Sequence, residues 1–229
     1  MNEGMISAKT RNEEALHLLR SDILSGKLLP GQKLAFASLT AQYQVSVGVI
    51  REALSRLAEQ GLVVNMPQQG FSVMQVSRED LINLTEARCY IESLVLRLSI
   101  EHGDMTWESQ LVAAHHRLAN TPLVSDDDAT RLSAEWTEHH SEFHRMLLQG
   151  CPNIRLRVIA AQLRDSAELY RQWSIPLSQE PADRDIAGEH AAILEATTAR
   201  NGELACKLLV THIERTTELL LDSGFFAEE

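Results

Sequence analysis

The chain has 229 residues, of which 44% are hydrophobic, a length and composition that can bury one large or two small domain cores. Its longest apolar runs are too short to span a bilayer, and Met1–Thr10 lacks a secretory hydrophobic segment. The three cysteines, Cys89, Cys151 and Cys206, are widely separated, which argues against a disulfide framework and a Cys-x-x-Cys metal site. A cytoplasmic location is therefore expected.

The net charge of −11 is unevenly distributed along the chain. Residues 1–76 contain seven Lys or Arg and six Asp or Glu, whereas residues 77–229 contain 14 and 26. The first segment therefore carries a net charge of +1 and the second a net charge of −12. Because a strongly acidic surface is repelled by a phosphate backbone, any contact with nucleic acid is assigned to the first segment. The sequence predicts two domains with different functions, at residues 1–76 and 77–229.

Apolar periodicity and turn residues in the first segment predict three helices and then two β-like runs. These elements are Asn12–Ser25, Ser38–Tyr43, Val47–Gln60, Leu62–Asn65 and Gly70–Met74. Ser46 is predicted to cap the third helix and Gly61 to end it. Two short helices that meet at a tight turn and precede a hairpin indicate a winged helix-turn-helix. The second helix of the turn would enter a major groove, and the hairpin would reach the neighbouring minor groove or backbone.

Five motifs in this segment resemble the N-terminal domain of GntR-type transcriptional regulators. They are Leu19–Gly26, Pro30–Leu34, Val45–Ser46, Arg51–Leu57 and Gly61–Val63. The resemblance implies that Arg51 contacts bases, that Arg56 contacts the DNA backbone and that Gly70 approaches the minor groove. The predicted DNA-binding residues are Ser46, Gly48, Arg51, Arg56, Gln69 and Gly70.

The chain departs from the usual family pattern directly after Val-Ser. Family members usually carry Arg there and Pro two residues later, whereas this chain has Val47 and Val49. One base-reading cation is therefore missing, so the operator sequence does not transfer from relatives. The alternative interpretation is that Arg51 and Arg56 only solvate an exposed helix face.

Residues 77–229 predict six helices and no convincing strand, which favours an antiparallel six-helix bundle and a mainly α fold overall. The predicted helices are Glu79–Glu101, Trp107–Ala119, one capped within Asp126–Asp128 and ending at Gln149, Ile154–Trp173, Ala182–Ala199 and Glu203–Asp222. The segment contains no catalytic nucleophile motif.

Four histidines are predicted to point into this bundle. His140 and His144 are four residues apart, so they share one face of a helix with Trp136 and Phe143. His190 and His212 occupy apolar stripes of the fifth and sixth helices. His102, His115, His116 and His139 lack an inward phase and are predicted to be solvated. Neutral imidazoles are good ligands for Zn²⁺, Ni²⁺ or Cu²⁺, whereas the alternative is that each is a hydrogen-bonded core histidine.

Residues 79–221 resemble the FCD ligand-binding domain of the FadR-type branch of GntR regulators, with the six-helix count of its VanR-like subgroup. The matching residues are Arg88, Glu92, Phe143, His144, Asn153, Glu189–Leu194 and His212. The resemblance implies a divalent metal held by one Asp and three His, and a small carboxylate effector. Within the family, Val47–Leu54 and His140 are similar to members that respond to the dicarboxylate glutarate.

The metal ligands implied by the resemblance are His140, His144, His190 and His212, and His140 stands where relatives carry the Asp. Replacing a carboxylate by an imidazole favours Zn²⁺ or Ni²⁺ over Mg²⁺ or Mn²⁺. Alternatively, the site has lost its metal and the imidazoles bind an anionic effector directly.

Arg88 lies within an apolar stripe, so its charge requires a partner. Glu92, one turn later, is the predicted resting partner, and the functional alternative is a clamp for the effector carboxylate. Arg164 and Arg171, one heptad apart, are predicted to bind a second carboxylate beside Tyr170, unless they are only solvated.

Together these features predict a homodimeric transcription factor, most simply a repressor, that binds a pseudo-palindromic operator in double-stranded DNA and responds to a small acid. Two alternatives stay open at this point. One is a helical-bundle metalloenzyme with a four-histidine site, and the other is a constitutive architectural DNA-binding protein.

Overall fold

The computed structural model describes residues 3–66, 68–125, 132–174, 184–222 and 226. This part of the chain forms nine helices and three short strands, and none of its helices is long and apolar enough to cross a membrane. The chain divides into two compact units. The first comprises Met1–Ser77 with Asp165–Trp173, and the second comprises Arg78–Arg164 with Ser174–Glu229.

The first unit has the element order of a winged helix-turn-helix. Its elements are α1 (Glu3–Leu24), β1 (Lys33–Leu34), α2 (Phe36–Tyr43), α3 (Val47–Glu59), β2 (Val63–Met66) and β3 (Gly70–Val73). The strands form an antiparallel sheet in the order β1-β3-β2, in which Leu34 and Asn65 both stand opposite Phe71. The predicted winged helix-turn-helix is confirmed.

Two features of the first unit differ from the prediction. Helix α1 begins at Glu3 rather than Asn12. The residues before Asn12 lack an apolar stripe, so the sequence pattern did not predict this first part of the helix. Strand β1 has only two residues, too few to show an alternating pattern, and it was not predicted.

Local geometry at two positions sets the orientation of α3. Gln44 adopts a left-handed conformation with φ of 54°, which turns the chain sharply after α2. Ser46 then caps α3, and its Oγ accepts a hydrogen bond from Val49 N at 3.4 Å. The inner face of α3 is buried in the core of the first unit through Ile50, Leu54 and Leu57.

The second unit is a bundle of antiparallel helices. They are α4 (Arg78–His102), α5 (Met105–Ala119), α6 (Ala134–Leu147), the first half of α7 (Ile154–Ser174), α8 (Ile186–Thr198) and α9 (Gly202–Asp222). Helix α4 packs along α9, and α5 packs against α6 and α8. Val95, Leu111, Phe143 and Ile193 lie at the centre of its core. The predicted mainly α fold is confirmed.

Two helix starts in the bundle differ from the prediction. Helix α6 begins at Ala134, where Ser133 Oγ accepts a hydrogen bond from Trp136 N at 3.3 Å. The predicted caps at 126–128 lie outside the described residues. Helix α8 begins at Ile186 after the cap Asp185, and the predicted start at residue 182 also lies outside them.

Candidate functional site

Four histidines from three helices converge in the second unit. His140 and His144 come from α6, His190 from α8 and His212 from α9, and one ring nitrogen of each lies within 4.8 Å of the others. Nitrogen ligands placed tetrahedrally around zinc at about 2.0–2.1 Å are roughly 3.4 Å apart. The Nε2 atoms of His144 and His190 are 3.3 Å apart. The cluster could therefore hold a single divalent ion.

Burial and neighbouring positive charges lower the pKa of two of these imidazoles, His144 and His212. Burial lowers the pKa of His144 well below its ordinary value, and the nearby imidazoles and arginines lower it further. Burial also lowers the pKa of His212, although a hydrogen bond with Glu189 opposes that shift. A neutral imidazole presents a nitrogen lone pair, the form in which histidine binds a metal.

His140 differs from the other three histidines in its exposure. His144, His190 and His212 are buried, whereas His140 is partly exposed. Its ring stacks on Trp136, with the centroids 4.7 Å apart and the planes inclined by 19°. Trp136 is itself buried in the core of the bundle, so the stacking limits the orientations that the His140 ring can adopt.

Glu189 connects the histidine cluster to two arginines. Its Oε2 atom lies 2.7 Å from His212 Nδ1 and accepts a hydrogen bond from Arg184 Nη2 at 2.8 Å. Its Oε1 atom accepts a hydrogen bond from Arg215 Nη1 at 3.0 Å. Burial alone raises the pKa of Glu189, but hydrogen bonds from His212 and Arg184 outweigh burial and hold it well below its usual range. A carboxylate at Nδ1 leaves His212 Nε2 as the nitrogen that faces the cluster.

Arg88 forms the predicted ion pair with Glu92. The Arg88 Nε atom donates a hydrogen bond to Glu92 Oε1 at 2.6 Å, and the two side chains are 15% and 1% exposed. The charge of Arg88 lowers the pKa of both His144 and His212, so its guanidinium acts directly on the cluster.

The outer face of α3 presents the residues that were predicted to bind DNA. Ser46 and Gly48 are exposed at the start of the helix, and Arg51 and Arg56 are exposed along it. The guanidinium carbon of Arg51 lies 5.3 Å from the centroid of the Phe36 ring. This contact supports Arg51 from the side while leaving its polar edge accessible.

The remaining predicted DNA contacts lie at the tip of the wing. Gln69 is exposed between β2 and β3, and its N atom donates a hydrogen bond to Met66 O at 3.0 Å. Gly70 has φ of 85°, and a Cβ at this position would meet no other atom within 4 Å. Its left-handed backbone therefore favours glycine for conformational reasons, and the open space around it leaves room for DNA.

Comparison with known proteins gives two family matches that together span most of the chain. The family described as bacterial regulatory proteins, gntR family, matches residues 11–73, and the FCD domain matches residues 83–215. The HTH-type transcriptional regulator BphR of Paraburkholderia xenovorans is 32% identical over 93% of this chain and 86% of its own length. The chain belongs to the GntR family of transcriptional regulators, with an FCD effector-binding domain.

Other relatives of this GntR-family regulator agree with that assignment. The HTH-type transcriptional repressor GlaR of Escherichia coli is 32% identical over 85% of this chain and 90% of its own length. Two solved structures share the fold. A transcriptional regulator from Rhodococcus has a TM-score of 0.70 at 24% identity, with 93% of this chain and 98% of that one covered. McbR/YncC of Escherichia coli has a TM-score of 0.74 at 19% identity, with 92% and 96% covered.

The family assignment settles what class of protein carries the histidine cluster. The FCD match includes all four histidines, as well as Arg88 and Glu189. Because the family and its relatives are regulators of transcription that bind double-stranded DNA, the protein is not an enzyme. The metalloenzyme alternative is thereby set aside.

The three other predicted effector residues of this regulator are divided between the two units. Arg164 belongs to the second unit, where its Nη2 atom donates a hydrogen bond to Ser141 O at 2.9 Å and its charge lowers the pKa of His144. Tyr170 and Arg171 belong to the first unit. There Tyr170 Oη accepts a hydrogen bond from Ser77 N at 3.3 Å, and Arg171 pairs with Glu168 at 2.6 Å. Leu169, buried in the core of the first unit, accounts for this grouping.

Sequence reasoning missed two residues near the cluster and misjudged a third. Arg184 precedes the first turn of α8, so helical phase does not give the direction of its side chain, and Trp136 was predicted only to be a core residue. His115 was predicted to be solvated, but it is partly buried and packs edge-on against Phe143, with the ring centroids 5.4 Å apart. Glu189 did carry a signal, because an acid directly before a ligand histidine can reach a ligand on the next helix.

Proposed function

We propose that this GntR-family protein is a homodimeric, metabolite-responsive repressor. It releases its operator when a small carboxylic acid binds at the four-histidine cluster, together with a divalent metal. The observation that carries the proposal is the convergence of His140, His144, His190 and His212 within 4.8 Å inside the FCD domain. Repression is supported by the relatives GlaR and RspR of Escherichia coli, which are named as transcriptional repressors.

The chemistry of the donor set favours Zn²⁺ or Ni²⁺ as the metal. All four ligand atoms are imidazole nitrogens, and no carboxylate oxygen belongs to the cluster as the described residues define it. Mg²⁺ and Mn²⁺ prefer oxygen ligands, whereas imidazole suits Zn²⁺, Ni²⁺ and Cu²⁺. His140 supplies the difference from relatives that carry an Asp in this position.

The charges around the cluster favour an anionic effector. Glu92 and Glu189 are already paired with arginines, and the lowered pKa values of His144 and His212 favour their neutral forms. A bound divalent ion would add positive charge and offer a coordination position to a carboxylate. Arg88 is placed to exchange its contact with Glu92 for a bidentate contact with that carboxylate. We propose a dicarboxylate such as glutarate, whose second carboxylate would contact another cation, and Arg164 is the candidate for that contact.

The cap residue Ser46, three predicted residues on α3 and two on the wing suit the geometry of operator binding. Helix α3 would lie in the major groove with Arg51 at the base edges, and Gln69 and Gly70 would reach the minor groove or backbone. Arg56 would contact the phosphate backbone. Two copies of the protein would bind the two half-sites of a pseudo-palindromic operator. The proposed location of the protein is the cytoplasm.

Effector control requires two arrangements of the dimer that bind the acid differently. An acid that binds the DNA-incompetent arrangement more tightly shifts the population away from the operator. The size of the shift cannot exceed the difference in its affinity for the two arrangements. An exchange of partners at Arg88 that is possible in only one of the two arrangements would supply such a difference.

Native mass spectrometry of the full chain as purified tests this proposal. We expect a dimer that carries about one Zn²⁺ or Ni²⁺ per protomer, and a retained acid that is lost on gentle activation. The variant His144→Ala should lose the metal, and His116→Ala, which changes an exposed histidine on α5, should keep it. A wild-type protein that stays metal-free after incubation with Zn²⁺ and Ni²⁺ would contradict the metal part of the proposal.

A further inference from the structure

Val47 places an exposed apolar side chain in the first turn of α3. Its side chain is 45% exposed, whereas Ile50 and Leu54 of the same helix are buried in the core of the first unit. Val47 lies four residues before Arg51, so the two side chains share one face of the helix. Arg51 is exposed and belongs to the face that is expected to meet DNA. Val47 therefore adds an apolar surface to that face.

The fold of the first unit does not account for Val47 or for the neighbouring Gly48. β-branched residues and glycine both lower the stability of a helix relative to alanine. A Cβ at Gly48 would lie 3.8 Å from Ser46 Oγ, which is an ordinary van der Waals contact, so a lack of space does not require glycine. A role outside the folded chain explains both residues, and the partner of this domain in its family is double-stranded DNA.

The polar side chains next to Val47 already have partners within the first unit. Ser46 Oγ accepts a hydrogen bond from Val49 N at 3.4 Å. Glu52 Oε2 accepts a hydrogen bond from Asn12 Nδ2 at 2.6 Å. The start of α3 therefore offers DNA an apolar surface, which consists of the two methyl groups of Val47.

Thymine is the DNA base that suits such a surface. Its edge in the major groove carries a C5 methyl group, which an apolar side chain contacts favourably and which the other three bases lack. We infer that Val47 contacts the methyl group of a thymine in each half-site, and that it is a specificity-determining residue beside Arg51. The inference rests on the operator binding of the proposed function and names one base that the operator must contain.

The spacing of Val47 and Arg51 limits where this thymine lies. Four residues advance about 6 Å along an α-helix, and successive base pairs are stacked about 3.4 Å apart. A helix that lies along the major groove therefore sets the two side chains one or two base pairs apart. The thymine should lie within two base pairs of the position at which Arg51→Ala relaxes the base preference.

Replacing thymine by deoxyuridine tests the inference, because it removes the methyl group and keeps the base pairing. The full-length protein first selects its half-site from random-sequence duplexes, and each thymine of one half-site is then replaced in turn. Fluorescence anisotropy should show that wild type loses affinity about fourfold at one thymine, the effect expected for one methyl group. Val47→Ala should lose less than about 1.5-fold there. Val112→Ala, at an equally exposed valine of α5, should respond like wild type.

Two further measurements separate base recognition from a structural role. Val47→Arg should change the preference at this position from thymine to guanine in a new selection, because arginine pairs with O6 and N7 of guanine. Val47→Ala should keep the wild-type affinity for a random duplex and its salt dependence, since the phosphate contacts are retained. If Val47→Ala also loses affinity for a random duplex, Val47 supports the helix rather than reading a base, and the inference is wrong.

The outcomes also distinguish this inference from the proposed function. A wild-type protein that binds its operator equally well after every replacement would overturn the inference and leave operator binding intact. The same holds if Val47→Ala loses as much affinity as wild type, or if the half-site contains no thymine within two base pairs of the Arg51 position. A selection that enriches no sequence would overturn both the inference and the proposed operator binding.

Discussion

His212 Nδ1 lies 2.7 Å from Oε2 of Glu189, the residue directly before His190. One short contact thus joins a histidine of α9 to the turn of α8 that supplies another member of the cluster. A carboxylate in this position fixes the tautomer and the ring orientation of a histidine, and it raises the basicity of the free nitrogen. Glu189 is therefore expected to control metal affinity without contacting the metal.

The variant Glu189→Gln should retain the shape of this contact and lose its charge. We expect the affinity for Zn²⁺ to fall about 10–100-fold, which is the usual effect of removing a partner of a ligand histidine. Competition titration with a chromophoric chelator measures the affinity, and Co²⁺ absorption reports the ligand geometry. Glu195→Gln on the exposed side of α8 is the matched control. Unchanged affinity in Glu189→Gln would show that Glu189 only links α8 to α9.

The buried imidazoles predict that the metal-free protein loses stability in mild acid. His144 has a lowered pKa in the folded state, so below its ordinary value of 6.5 the unfolded chain binds a proton that the folded chain does not. Stability from this group is therefore present above pH 6.5 and declines as the pH falls. The expected slope is about 1.4 kcal/mol per pH unit for each such histidine.

Urea unfolding of the metal-free protein at several pH values between about 7.5 and 5 measures this slope. His144→Leu should reduce the slope by up to about 1.4 kcal/mol per pH unit, which corresponds to one proton, and His116→Ala should not change it. A wild-type free energy of unfolding that stays constant over this range would contradict the prediction. It would mean that the imidazoles bind protons equally well in the folded and the unfolded protein.

The Arg88–Glu92 pair predicts that a single substitution lowers the free energy of unfolding more than the double substitution does. Glu92 is 1% exposed, so Arg88→Met leaves a buried carboxylate without its partner and should cost about 3–5 kcal/mol. Arg88→Met/Glu92→Met removes both charges and should cost less than the single variant. Chemical denaturation gives both values, and a double variant that is less stable than Arg88→Met would contradict the structural role of the pair.

The exposed arginines of α3 predict two different effects on DNA binding. Arg51→Ala should weaken the free energy of binding to an operator selected in vitro by about 1–3 kcal/mol, and it should relax the base preference at one position. Arg56→Ala should weaken binding to all sequences and reduce the salt dependence by about one charge. Fluorescence anisotropy at several salt concentrations separates the two effects, with Arg11→Ala on α1 as the control. Operator binding that is unaffected by Arg51→Ala at moderate salt would exclude Arg51 from base recognition.

Much of the site could be predicted because helical phase alone decides which side chains point inward. The spacing of His140 and His144 assigns them to one face, and the stripes of α8 and α9 do the same for His190 and His212. Sequence could not place Arg184, because it precedes α8 and helical phase does not apply to it. It also could not divide α7, because a continuous helix gives no local sign that Arg164 and Arg171 belong to different units.

The family resemblance and the residue pattern predicted different features of the site. The pattern identified the inward histidines, and the resemblance supplied the expectation of a metal and an acid. Neither the pattern nor the resemblance predicted that Trp136 would contact His140. Its stacking on His140 depends on the side-chain orientation of both residues, which becomes visible only in the folded structure.

An acid at the histidine cluster is expected to release the operator, and a DNA-release titration tests this most directly. Glutarate is added to the metal-loaded wild-type protein on a fluorescent operator selected in vitro, and anisotropy is recorded. We predict that glutarate, or another dicarboxylate of a small panel, releases the operator from wild type, and that His144→Ala or Arg88→Lys requires at least ~10-fold more acid. Operator binding that no dicarboxylate changes, or release that is equally efficient in His144→Ala, would contradict the account.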